Sequence, residues 1–248
     1  MTLLPIDYVN GISSLIYGAT NIIVGLIIAS KYFKLGDKNF LFIGLGFFGL
    51  SEAWIPSGIS FLWNLMFNRG LTLESYVIIG NVFIPLCLLL WLIGISNLMN
   101  VKRKKLIKYF YIAIGILFEI IFFFLLILYP SLIGDFSKES PANIDFEYRT
   151  FILGYLLFCE LTVLISTSLF ARKSIQSKEK RINLKGKFIL SSVILWTIGA
   201  ILDTAIPLNL ITLPITRIML VTSGILIYIG FIMPPKITKF LLRKEFKS

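Results

Sequence analysis

The chain contains no histidine. That absence removes the usual general base of acyl and phosphoryl transfer, and the imidazole ligands of zinc hydrolases and zinc-type receptors. Cysteine is nearly as scarce. Cys87 and Cys159 stand alone inside apolar stretches, so neither a disulfide framework nor a paired-cysteine motif is indicated. There is no glycine-rich phosphate loop and no G-x-S-x-G elbow. A two-aspartate membrane protease needs two intramembrane aspartates, and the apolar segments supply only Asp203. The expectation is a protein that is not an enzyme, with no catalytic residues, no metal site and no cofactor. A secretory signal peptide is not expected either. The N-terminus lacks a basic region and carries Asp7, and no small-residue cleavage site follows the first apolar run.

Charge is also in short supply, at 15% of residues, while 57% are hydrophobic. Soluble domains run to about 25% charged and about 45–50% apolar. With a mean hydropathy of +0.88, the composition is that of a polytopic membrane protein. A net charge of +11 would suggest nucleic acid in a soluble chain. Here the basic residues fall in loops on one side of the apolar segments, so no nucleic-acid partner is expected.

Apolar segments of about 20 residues span the hydrocarbon core as helices. Seven are present, predicting an all-α bundle of seven transmembrane helices in one domain, residues 1–248. They run over about 9–30, 40–56 or longer, 72–99, 106–129, 150–171, 188–208 and 213–233, followed by a basic tail, 234–248. The stretch after Pro56 is still apolar, so residues 57–70 either continue the second helix, cap it or lie at the interface. Pro85 lies inside the third and is expected to kink it. Between the fourth and fifth lies a polar loop with Asp135, Glu139, Asp145 and Glu147.

Orientation follows from the loops. Lys31, Lys34 and Lys38 fall on one side. Lys102, Arg103, Lys104, Lys105 and Lys108 join them there. So do Arg172, Lys173, Lys178, Lys180, Arg181, Lys185 and Lys187, and the tail's Lys236, Lys239, Arg243, Lys244 and Lys247. Only Arg69, Lys138 and Arg149 fall on the other side, and Arg217 is inside a helix. The N-terminus is therefore expected outside and the C-terminus in the cytoplasm of a multi-pass cell-membrane protein. The bilayer is one partner, and a cytoplasmic partner at the basic loops another. In the tail, Ile237, Phe240 and Leu241 share one face, which fits a short surface helix or an ordinary stop-transfer flank.

The second and sixth helices share a pattern, S-E-A-W-I-P and L-D-T-A-I-P, with an acid four residues before a Pro. Helices one to three and five to seven would then be parallel repeats around a linker helix.

Charges within the apolar segments are Glu52, Glu119, Glu160, Asp203 and Arg217. A charge in a membrane helix is costly, so it faces the protein interior and has a partner. Asp203 and Arg217 lie about one helical turn from the same surface on consecutive helices, which makes them a candidate buried pair. Glu52 lies at similar depth. These three, with Trp54 and an aromatic lining from Tyr76 and Trp63, form a candidate ligand-binding site. The bland alternative is a salt bridge that locks helices two, six and seven. Glu119 and Glu160, near mid-depth on consecutive helices, are candidates for ion or proton coupling. Their bland alternative is a neutral acid hydrogen-bonded to a neighbouring helix.

Microbial rhodopsins have the same topology but need a lysine in the middle of the last helix. The seventh segment has none, which excludes retinal. Trp91 to Ser96, Gly199 to Pro207 and Arg217 to Pro234 together resemble stand-alone forms of the seven-helix sensor modules of prokaryotic histidine kinases. The same residues resemble uncharacterised seven-helix integral membrane proteins of archaeal type. The resemblance implies a sensing role and carries no individual residue with it. The leading expectation is a receptor-like sensor with a polar site on its outer face. The alternatives are a small transporter or proton-coupled carrier, and a structural or assembly subunit.

Overall fold

The computed structural model of the protein describes residues 3–138, 140–205 and 209–241. Among these, seven helices are long and apolar enough to cross a membrane: Pro5–Leu35, Lys38–Phe67, Leu73–Leu98, Lys104–Leu128, Thr150–Ile175, Lys180–Thr204 and Thr212–Ile232, here the first to seventh spans. That is the build of a multi-pass membrane protein. The first, second and sixth helices run beyond their expected ends. Hydropathy marks the apolar middle of a helix, whereas backbone hydrogen bonding continues into its polar flanks. The expected end of the sixth helix, with Pro207 and Leu208, lies outside the described residues. So do Arg243, Lys244 and Lys247 of the tail.

The first span packs on the second and the seventh, the second on the third, the third on the fourth and fifth, and the fifth and seventh on the sixth. Six spans thus close a ring, and the fourth leans against its outside. Only 22% of the fourth span's apolar stretch is buried, against 50% for the third, so most of its side chains face away from the protein. It meets the fifth through long side chains: Phe118 stacks on Tyr155 at 3.8 Å, and the Tyr111 and Thr162 hydroxyls are 3.0 Å apart. Glycines set the closest approaches in the ring. A Cβ on Gly25 would sit 2.7 Å from the Gly44 carbonyl, and one on Gly46 would sit 2.6 Å from the Trp91 nitrogen. With no side chain there, the backbones of the first three spans pack almost directly on one another.

Two neighbouring spans are broken. The second consists of Lys38–Gly49, a tight 3-10 turn at Glu52–Trp54, and Ile55–Phe67. The apolar stretch after Pro56 therefore continues the span. The third divides into Leu73–Asn81 and Ile84–Leu98. Pro56 and Pro85 each sit in the first turn of the later piece, where a missing N–H costs least. The sixth span stays helical through Asp203 to Ala205, whereas Glu52 to Trp54 form the 3-10 turn, so the two acids of the shared pattern sit on different backbones.

The polar loop between the fourth and fifth spans is folded. Strands β1 (Gly134–Phe136) and β2 (Phe146–Tyr148) pair antiparallel, with Gly134 opposite Tyr148 and Phe136 opposite Phe146. The connecting loop dips into the bundle, where Ala142 and Ile144 are fully buried. Tyr76, Phe136 and Phe146 pack with ring centroids 5.3 Å apart. At the opposite, basic end, a short helix, Pro235–Leu241, leaves Phe240 and Leu241 exposed, as a helix lying on a membrane surface would.

Candidate functional site

At the hairpin end the sixth and seventh spans bring Asp203 and Arg217 together, as their matched depth predicts. Arg217 Nη1 donates to Asp203 Oδ1 at 2.6 Å. The Arg217 side chain is 4% exposed and that of Asp203 12%. Both carboxylate oxygens are used: Thr216 Oγ1 donates to Oδ1 at 3.1 Å and Trp54 Nε1 to Oδ2 at 2.8 Å. Arg217 Nη2 donates to Asn10 Oδ1 at 3.1 Å, and Asn10 Nδ2 reaches Asp145 Oδ1 at 3.4 Å. One guanidinium thereby ties together the first, second, sixth and seventh spans and the hairpin loop. A buried ion pair survives desolvation only with such additional hydrogen bonds. Arg217 Nε alone is left without a partner among the described residues.

The hairpin loop closes this network from outside. Ser140 Oγ donates to Asp7 Oδ1 and accepts from the Ile144 N–H, while Asp7 Oδ2 accepts from the Leu4 N–H. Ser60 Oγ donates to the Asn143 carbonyl at 2.6 Å, and Tyr76 donates to the Ile144 carbonyl at 3.2 Å. The loop is a plug held by side chains from the first three spans. Burial pushes the Asp145 carboxyl up to about 6; the nearby Asp203 carboxylate adds to the rise and Arg217 opposes it.

The site is therefore a closed network and not an open cleft. Trp54 belongs to it. Tyr76 holds the plug, and Trp63 is exposed, its ring tilted at 42° against Phe67 with centroids 4.5 Å apart. Asn10, Thr216 and Asp145 belong to it without having been singled out. Thr216 adjoins Arg217, and Asn10 is a polar break in an apolar helix, but nothing local marks Asp145 among the loop's acids.

Beneath the network an aromatic path leads into the bundle. Trp54 meets Tyr17 edge-on at 5.4 Å, and the Tyr17 hydroxyl accepts from Trp196 Nε1 at 3.0 Å. Tyr17 and Trp196 line a central cavity together with Ser51, Trp91, Thr167 and Ser192. Its free space of about 30 Å³ suits about two water molecules. Trp91 Nε1 and Thr167 Oγ1, both buried, have no hydrogen-bond partner among the described residues.

The remaining acids are elsewhere. Glu52 is 4% exposed, and its Oε1 accepts from the Phe83 N–H at 2.9 Å, across the breaks of the second and third spans. Neither Glu119 oxygen nor Glu160 Oε1 has a hydrogen-bond partner among the described residues. Glu119 and Glu160 lie on consecutive spans, the fourth and the fifth. Compared with protein-family models and with curated proteins, the chain matches none.

Proposed function

We propose that this membrane protein is a receptor-like sensor in the cell membrane, with the hairpin end outside and the basic end in the cytoplasm. The observation that carries the proposal is the buried Asp203–Arg217 pair, which joins four spans to a plug. Such a network has two natural states. Closed, the plug completes it. Open, Asn10 and Asp145 part, and the first span, which Asn10 also ties to Arg217 of the seventh, loses its hold on the loop. A polar ligand reaching the plug from outside selects the open state by its differential affinity for it. The seventh and sixth spans carry the change to the basic loops, where a separate partner reads it. Resemblance to kinase-linked sensor modules supports the same output.

Ser140→Ala tests the coupling, because Ser140 ties the plug to Asp7 and to Ile144. In lipid nanodiscs, amide hydrogen exchange should quicken over residues 137–145. It should also quicken at the far end, over 99–103 and 176–180. A change confined to the hairpin would remove the sensor proposal and leave the plug a structural cap.

A further inference from the structure

The breaks of the second and third spans face each other, and what lies between them is chemically one-sided. Glu52 Oε2, Asn81 Oδ1 and both oxygens of Glu119 are buried without a hydrogen-bond partner among the described residues. All four atoms are acceptors. Asn81 is fully buried, and its amide orientation is set because Nδ2 donates to the Val77 carbonyl at 2.8 Å. The same Nδ2 donates to the Tyr148 hydroxyl at 3.0 Å, and Tyr148 in turn feels the charge of Glu52. Glu119 comes from the fourth span. One turn earlier, a Cβ on Gly115 would sit 3.1 Å from Pro85 Cβ, so that face of the fourth span lies against the break in the third.

The protein offers this cluster one charge-stabilising donor, the Phe83 N–H on Glu52 Oε1. The titratable groups facing it are Tyr148 from the hairpin, Cys87 from the third span and Tyr155 from the fifth. Among the described residues, neither Glu52 nor Glu119 forms an ion pair. An unmet buried acceptor is costly, and unmet carboxylates more so. Discontinuous membrane helices with inward acids are a recurrent way of building an ion site.

We propose that Glu52, Asn81 and Glu119 form a binding site for a monovalent cation, Na⁺ or H⁺, at the paired breaks. It is separate from the plug network and stands without the sensor proposal. A cation here bridges the fourth span, which otherwise only leans on the ring, to the second and third.

Thermal unfolding of the purified protein tests this. It is followed in sodium chloride and in N-methyl-D-glucamine chloride at equal ionic strength, under mildly alkaline and mildly acidic conditions. Asp145→Asn serves as the background, to remove the hairpin's own acid response. If Na⁺ is the occupant, sodium raises the midpoint saturably, by about 3–5 °C at tenfold excess over Kd. If H⁺ is the occupant, acid raises it and sodium does not. In either case Glu119→Gln abolishes the shift and Glu160→Gln preserves it. Glu119 is the decisive position because Glu52→Gln also weakens the bond to Phe83. The proposal is overturned if neither cation moves the midpoint, or if Glu119→Gln responds like its parent.

Discussion

The hairpin-end network and the mid-bundle acids are both buried polar clusters in an apolar bundle, yet they are opposites. At the hairpin end, donors and acceptors are nearly matched: Asp203 accepts three hydrogen bonds, and Arg217 gives two. At the paired breaks four acceptor atoms have no donor among the described residues. Low dielectric strengthens a satisfied pair and penalises an unsatisfied group, so the first arrangement holds helices together and the second calls for a ligand. A buried charge in a membrane protein is therefore informative chiefly through its unmet valences. The unmatched cluster, not the ion pair, is the place to look for a bound ion.

The contrast is broken most severely at the matched end. Asp203→Ala strands the Arg217 guanidinium and should cost about 3–5 kcal/mol of stability by thermal or denaturant unfolding. The double change Asp203→Asn with Arg217→Gln should cost less than that single, because it leaves no buried charge behind. If the double is the worse of the two, the pair contributes more than mutual neutralisation.

A smaller effect sharpens the contrast at the plug. The Asp145 carboxyl is raised to about 6 in the fold, against about 4 in an unfolded chain. The folded state thus binds its proton more tightly. This contribution is fully present below about pH 4 and is lost as pH rises through about 6. Between about pH 5 and pH 7 the difference is on the order of 1 kcal/mol. Asp145→Asn should flatten the wild-type fall in midpoint over that range by this amount. An unchanged pH slope would show that Asp145 is not held as the hairpin geometry requires.

The smallest effect is expected at Glu160, whose Oε1 has no hydrogen-bond partner among the described residues. Glu160→Gln should move stability by less than about 0.5 kcal/mol, and Glu119→Gln should remain distinct from it in cation response. Equal behaviour of the two variants would erase the distinction between a cluster and a lone acid.

What was legible beforehand follows from the same physics. Seven apolar runs, their one-sided basic loops and the Asp203–Arg217 pairing are local properties. Hydrocarbon thickness sets the length of a run, and the cost of a buried charge demands a partner at its own depth, so both can be counted along the chain. The kink at Pro85 is equally local, since a missing N–H needs no neighbour to act. Other features depended on how the helices rotate and which faces meet. Glu52 shares its approximate depth with Asp203 but turns toward Phe83, because the second span breaks just before it. Asp145 is one acid among several in a polar loop and becomes part of the site only because the hairpin folds inward. Glu119 adjoins Glu160 in span order, yet the fourth span lies outside the ring and presents it to the third. Hydropathy along the chain determined how many helices cross and where charge is costly. Packing alone, through glycine contacts, helix breaks and a folded loop, decided which polar atoms meet and which remain unmet.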